Sequence, residues 1–191
     1  MPIHPERPAD RRPDSGGPVP WPDAAGLPGD LLAAKSGVYD PCGFGCSQPV
    51  PEAEGGGYAA HAFTVEGRAV RFRAARTTPA KAGQFVTVWV RSPHGPIRPF
   101  DTADGVELFV IGCHDDHGFG QFVFPLDALR RHGVVSAGGA GGKRGLRVYP
   151  PWVATANRQA DRARAWQVEH FLHLPQDGAA DLARAEELYR A

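Results

Sequence analysis

Three cysteines in 191 residues, Cys42, Cys46 and Cys113, cannot all pair and do not form a secreted disulfide framework. Cys42-Gly-Phe-Gly-Cys46 also lacks the C-x-x-C spacing of a redox motif. As half of a zinc site it has no second half unless His114 and His117 supply one, and histidines in so polar and glycine-rich a turn are more commonly exposed turn residues. A reduced, cytoplasmic protein is the expectation. No run is long and apolar enough to span a bilayer, so membrane insertion is not expected. Arg11-Arg12 is followed by no hydrophobic segment, so neither a secretory nor a twin-arginine signal is read there. No G-x-S-x-G occurs, which removes the hydrolase elbow. Ala137 to Gly145 (AGGAGGKRG) suggests a P-loop but fails it at Ala137 and at Arg144, and it leads into a strand; a mobile basic loop is expected.

The most informative absence is of acid. Lys plus Arg and Asp plus Glu both number 21, so net charge is zero, yet the signs are segregated. Arg68 to Pro99 holds seven cations and no acid, Phe100 to Asp127 six acids and no cation, and Ala128 to Ala160 six cations and no acid. Such blocks create a local field that a neutral total does not exclude. The competing reading pairs opposite charges across a solvated sheet face.

The stretch Arg71 to Arg91 (RFRAARTTPAKAGQFVTVWVR) carries five of these cations. Its alternation of Arg71, Arg73 and Arg76 with apolar residues reads as a strand with cations on one face. Pro79 and Gly83 break it, and Gln84 to Arg91 is a second strand rich in β-branched and aromatic residues. With Tyr58 to Val65 these strands are expected to form an antiparallel meander. Val106 to Cys113 and Gln121 to Phe124 are further strands, and Leu146 to Tyr149 a short one. Helices are expected near Asp30 to Lys35 with Asp30 as N-cap, over Leu126 to His132, and over Asn157 to Leu174. Residues 1–22 hold seven prolines and too little apolar surface to offset ordering entropy, so a disordered tail is expected, with Trp21 docking at the domain edge. Residues 23–174 form one domain, and 175–191 a helical extension lying outside the core. The fold class is α/β or α+β, with a mixed central sheet of five to six strands flanked by helices.

Several long words occur in one order: Phe72-Arg73-x-Ala75-Arg76-x-Thr78-Pro79-x-Lys81-x-Gly83-Gln84-Phe85-Val86-Thr87-x-Trp89-x-Arg91, Gly120 to Pro125, Gly142-Lys143-Arg144, Arg147 to Trp152, Gln159-Ala160 and Trp166-Gln167. From Leu31 to Leu174 they resemble the MepB-like family. The resemblance implies a restriction-endonuclease-like fold of the PD-(D/E)XK group, similar to nucleic-acid-processing proteins. Fold alone does not give function. Where such families often show A-K-x-T-P, this chain has Ala75-Arg76-Thr77-Thr78-Pro79, which keeps the cation but not a proton carrier.

A nuclease of that fold needs carboxylates on adjacent strands for magnesium and a lysine near the attacking water. Arg73-Ala74-Ala75-Arg76 offers no acid. The candidates are Glu52 and Glu54 before the first strand, Asp101, Asp104 and Glu107 after the basic block, and Lys81 as the lysine. Of these, Lys81 and Glu54 stand as catalytic candidates and Asp104 and Glu107 as metal candidates, against the reading that the acids are loop residues and ion-pair partners. Cys113 and His114 are neighbours on a strand and point to opposite faces, and His61 is more readily a packed or edge residue than a base.

Binding is the better fit. Arg71, Arg73, Arg76, Lys81, Arg91, Lys143, Arg144 and Arg147 are candidate phosphate partners. Trp89, Phe100, Tyr149 and Trp152 stand among them as stacking platforms, with core packing the alternative for at least one tryptophan. Gln84 and Gln121, in two identical Gly-Gln-Phe-Val words, reach base edges or bond the backbone. The leading expectation is a nucleic-acid binder favouring single strands, with catalysis degenerate or unproven and no cofactor assigned beyond magnesium if it is a nuclease. A magnesium-dependent nuclease is the alternative, and a binder of a small anionic ligand the second.

Overall fold

The computed structural model describes residues 20–92 and 94–191. The expected disordered tail falls outside the described residues as far as position 19. Trp21 at its end is buried edge-on against Tyr39 and Phe63, with ring centroids 6.4 and 6.0 Å away.

Helix α1 (Gly29–Ala34) continues into a π-turn (Lys35–Tyr39). Then follow β1 (Val50–Pro51), β2 (His61–Val65), β3 (Arg68–Ala74), β4 (Arg76–Thr78), β5 (Lys81–Thr87), β6 (Trp89–Arg91) and β7 (Ile97–Pro99). The second half runs β8 (Leu108–Asp115), β9 (Gly118–Pro125), α2 (Leu126–Arg131), β10 (Gly145–Val148), α3 (Arg158–Gln167), β11 (Phe171–His173) and α4 (Leu182–Arg190).

The central sheet has six strands in the order β1-β2-β3-β8-β9-β11. It is mixed: β3 and β8 run parallel and the other neighbours antiparallel. The expected mixed sheet flanked by helices is therefore the fold found. Period-two alternation assigns each face. Leu108 and Val110 join Val70, Phe72 and Val123 in one core under α1, the π-turn and α4. Phe109, Ile111 and Cys113 join Phe122 and Phe124 in a second core on the opposite face. That second core is roofed by a three-stranded sheet, β10-β5-β4, through Val86, Leu146 and Val148.

Three expectations are corrected. The meander does not form. Its first pair, β2 with β3, is present, but after Ala75 N donates to Gly112 O (2.8 Å) as the last bond to β8 the chain leaves the central sheet, and β4 and β5 pair in the roof sheet and not beside β3. Residues Trp89–Arg91 leave that sheet too and pair with β7. The α3 helix stops at Gln167; one 3₁₀ turn follows, and Phe171–His173 then pairs with β9. Tertiary pairing overrides helical periodicity there, and Gly120 makes the room, since a Cβ on it would sit 2.3 Å from Phe171 Cζ. Finally, α4 lies within the core and not outside it. Ala185, Leu188 and Tyr189 are buried, and the Tyr189 hydroxyl meets Tyr39 Oη (2.9 Å) and accepts from Gln121 Nε2 (2.7 Å).

Candidate functional site

The cations of the basic stretch divide into two groups. Arg71 and Arg73 share one face of β3, and both reach Glu52; Arg71 Nε stands 3.0 Å from Glu52 Oε1. Arg73 is only 3% exposed and faces the Phe100 ring. Burial lowers its pKa, and the Glu52 carboxylate opposes that shift. Arg91 Nε donates to Glu54 Oε1 (2.6 Å). Glu52, Glu54, Arg73 and Arg91, with Trp89, line a pocket of about 390 Å³ in which each arginine has a carboxylate partner. Every arginine of the group is ion-paired, because Glu52 and Glu54 precede β2 and fold back over β3 and β6.

The second group lies on the roof sheet. Register places Arg76 and Arg147 on either side of Phe85, across β4, β5 and β10. Arg147 lies 5.8 Å from the Phe85 ring, Arg76 lies 5.5 Å from the Tyr58 ring, and Tyr58 packs edge-on to Phe85 at 6.1 Å. Arg147 is held by bonds to Ala82 O, Gly83 O and Thr78 Oγ1 (3.3, 3.2 and 3.1 Å). Gly83 has φ +76° and forms part of the bulge between Thr77 and Thr78, and a Cβ there would meet Val148 O at 2.6 Å. Only glycine lets β5 approach β10 so closely.

Between the roof sheet and α3 an open cleft of about 830 Å³ is lined by Lys81, Lys143, Arg147 and Arg162, with His132, Tyr149, Asn157, Gln159 and Trp166. Glu169 is the acid on its wall. Among the described residues, Arg76, Lys81, Lys143, Arg144, Arg147, Arg158 and Arg162 make no ion pair. The cleft floor is fixed by Gln167, fully buried, whose Oε1 accepts from Tyr149 N (2.9 Å) and whose Nε2 donates to Arg147 O (3.0 Å). Gln167 thus continues the outer edge of β10 like a partner strand. Asn157 caps α3 by accepting from Ala160 N (3.0 Å).

No acid of the block between Phe100 and Asp127 lines the cleft, and Asp101, Asp104 and Glu107 are engaged by their neighbours. Asp104 binds Arg98 through both oxygens (2.7 and 2.6 Å) and accepts from Asp101 N. Glu107 accepts from Ala69 N (2.9 Å) beside Arg68. Asp101 accepts from Gly139 N, Ala103 N and Ser136 Oγ, which hold its carboxyl at about 2. Those bonds pin the glycine-rich loop, which is a tight turn and not a loose loop: Ala137 and Ala140 exchange backbone bonds across Gly138 and Gly139, both at positive φ. Among the described residues no three His, Cys, Asp or Glu side chains group to hold a metal. Lys81 and Glu54 line different clefts.

Both Gly-Gln-Phe-Val glutamines point inward. Gln121 meets Tyr189, and Gln84 Nε2 donates to His114 O and Asp115 Oδ2, each at 3.2 Å. Trp152 Nε1 donates to the same Asp115 oxygen (2.9 Å) and Phe100 lies in the core, so neither ring joins the cleft. His61 is buried with Nδ1 2.9 Å from Ala59 O. Burial pushes the Cys46 thiol up to about 12 and the Cys113 thiol upward as well. The cleft also gathers residues outside the basic stretch that the sequence did not mark as binding residues: His132, Asn157, Arg162 and Trp166. The signal for the last three was present, since Arg162 and Trp166 share α3 with Gln159 and Gln167 and Asn157 caps it, but helical spacing reads equally as core.

Among curated proteins none matches the chain significantly. The solved crystal structure of MepB is similar, with a TM-score of 0.65 and 28% identity over 70% of this chain and 88% of that one. The MepB-like family pattern matches residues 52–173, a span running from the Glu52 ion pairs through the roof sheet and α3 to β11. The chain belongs to the MepB-like family.

Proposed function

We propose that the protein binds single-stranded nucleic acid, DNA or RNA, along the cleft between the roof sheet and α3. The observation that carries this reading is the division of the cations. Arg71 and Arg73 share Glu52 and Arg91 pairs with Glu54, whereas among the described residues Lys81, Lys143, Arg147 and Arg162 face the open cleft without ion-pair partners. Unpaired cations beside aromatic faces suit a phosphate backbone carrying unstacked bases. Arg76 and Arg144 extend the same field at its margin. Arg71, Arg73, Trp89, Arg91, Gln84 and Gln121 are assigned to the framework. An open cleft of this size suits a polymer better than an enclosed small anion. No specific observation favours cleavage, because Asp104 and Glu107 are each held by neighbouring groups and Lys81 has no carboxylate beside it. The restriction-endonuclease-like fold implied by the family words is retained as a fold-level expectation. The three free thiols support the cytoplasmic reading.

The test is fluorescence anisotropy of a labelled oligothymidylate at low salt. Replacing Lys81 and Lys143 together by alanine is expected to weaken binding by roughly 10-fold or more, since each loses a phosphate partner. Arg91→Ala, which frees Glu54 outside the cleft, leaves binding within about two-fold of wild type. No binding by the wild type, or equal losses in both proteins, overturns the proposal.

A further inference from the structure

His132, at the C-terminal end of α2, lies flat on the indole of Trp166, with ring centroids 4.1 Å apart and planes within 7°. Phe124 packs tilted against the same indole at 5.1 Å and fixes it. The imidazole makes no side-chain hydrogen bond among the described residues, and His132 is exposed. An exposed ring therefore covers a large aromatic face that opens onto the cationic cleft, and only stacking holds it there. The cations are close by. Lys143 N donates to Val134 O (2.8 Å), two residues beyond His132, and Arg147 and Arg162 line the same cleft.

From this geometry we infer that the His132-covered face of Trp166 is a nucleobase-stacking position, and that a bound base displaces His132. The inference rests on the proposed function and specifies its ligand as a base-bearing strand, as opposed to any polyanion. Insertion between the rings is excluded by spacing: two van der Waals gaps of about 3.5 Å each are needed, and 4.1 Å is present. Displacement is favoured by magnitude. An aromatic side-chain pair shifts an equilibrium by roughly 2- to 12-fold. Stacking of a nucleobase on an aromatic side chain is worth roughly 5- to 150-fold. The base therefore outcompetes the imidazole, while Lys143 and Arg147 hold the flanking phosphates. His132 keeps the indole face covered in the free protein.

The experiment uses the full chain, an oligothymidylate and an abasic oligomer of equal length, measured by anisotropy and by tryptophan quenching. Trp166→Leu is expected to weaken oligothymidylate binding by roughly 10-fold and to leave the abasic oligomer unchanged. His132→Ala uncovers the indole and tightens oligothymidylate binding by roughly 2- to 12-fold, again without effect on the abasic oligomer. His132 is exposed, so this variant folds even if loss of Trp166 disturbs the packing on Phe124. Equal wild-type affinity for the two oligomers, with both variants unchanged, overturns the stacking position while leaving nucleic-acid binding in place. Failure of wild type to bind either oligomer overturns the proposed function, and the stacking position with it.

Discussion

Replacing Gln84 by leucine separates two roles that the same side chain has been given. As a base reader it would contribute to binding and little to folding. In the structure it is 1% exposed and braces the roof sheet against the β8–β9 turn through His114 O and Asp115 Oδ2. Leucine has comparable volume and keeps the apolar packing, so the loss is the two hydrogen bonds. A bond to a charged acceptor contributes about 1.5–3 kcal/mol. Two features reduce that here. Asp115 keeps Trp152 Nε1 and His117 N as donors, each at 2.9 Å, and the Oε1 of Gln84 is itself buried without a partner. The net cost is therefore about 1–2 kcal/mol. For a chain of this size that lowers Tm by roughly 2–8 °C. Acid sensitivity shifts as well. Asp115 is desolvated, which raises its pKa, but the bonds from Trp152, His117 and Gln84 outweigh this and hold it below the usual carboxylate value. A carboxyl lowered in the fold adds stability above its unfolded value of about 3.9 and loses it as pH falls. Removing the Gln84 bond raises the folded pKa, so the variant has less of this pH-dependent stability to lose. The assays are a thermal melt at neutral and acid pH, and oligothymidylate anisotropy. An unchanged Tm with weakened binding would refute the brace and restore the base-reading role.

Tyr189→Phe removes the acceptor of Gln121 Nε2 and the partner of Tyr39, at a cost of about 1–3 kcal/mol and roughly 2–12 °C in Tm. An unchanged melt would show that α4 is not docked as described. Asp101, lowered to about 2 by bonds from Gly139, Ala103 and Ser136, stabilises the fold above the unfolded value of about 3.9 and loses that contribution as pH falls toward 2. Asp101→Asn is expected to flatten that part of the acid titration of folding, and an identical acid profile would refute the pinning of the glycine-rich turn.

The sheet was legible where burial writes itself into sequence. Leu108 to Cys113 is nearly all apolar because both faces of β8 are covered, and the β9 word Gln121 to Phe124 is short but bounded by Gly120 and Pro125. It was not read where a strand changes sheet: Arg76 falls out of the period set by Arg71 and Arg73, and the slip at Ala74-Ala75 marks the break between β3 and β4. Phe171 to His173 has helical spacing from Trp166 and becomes a strand only because Gly120 admits the Phe171 ring. At the site, the sequence marked the cations and could not say which were ion-paired. Glu52 stands far enough before Arg71 and Arg73 that nothing local links them, and the two arginines became framework. The Trp166–His132 stack joins positions on two separate helices and leaves no periodic trace. Trp152 and Phe100, which stand near cations in the chain, are turned from the cleft by tertiary contacts, the indole by its bond to Asp115 and the phenyl ring by packing on Phe109.

The salt dependence of oligothymidylate binding tests the central claim most directly. Four cleft cations, Lys81, Lys143, Arg147 and Arg162, give an expected slope of log K against log salt of about −3 for a single strand. Lys81→Ala and Lys143→Ala each reduce its magnitude by about 0.7, and Arg91→Ala leaves it unchanged. A slope near zero, or one altered by Arg91→Ala as much as by Lys143→Ala, would contradict the assignment of the cleft.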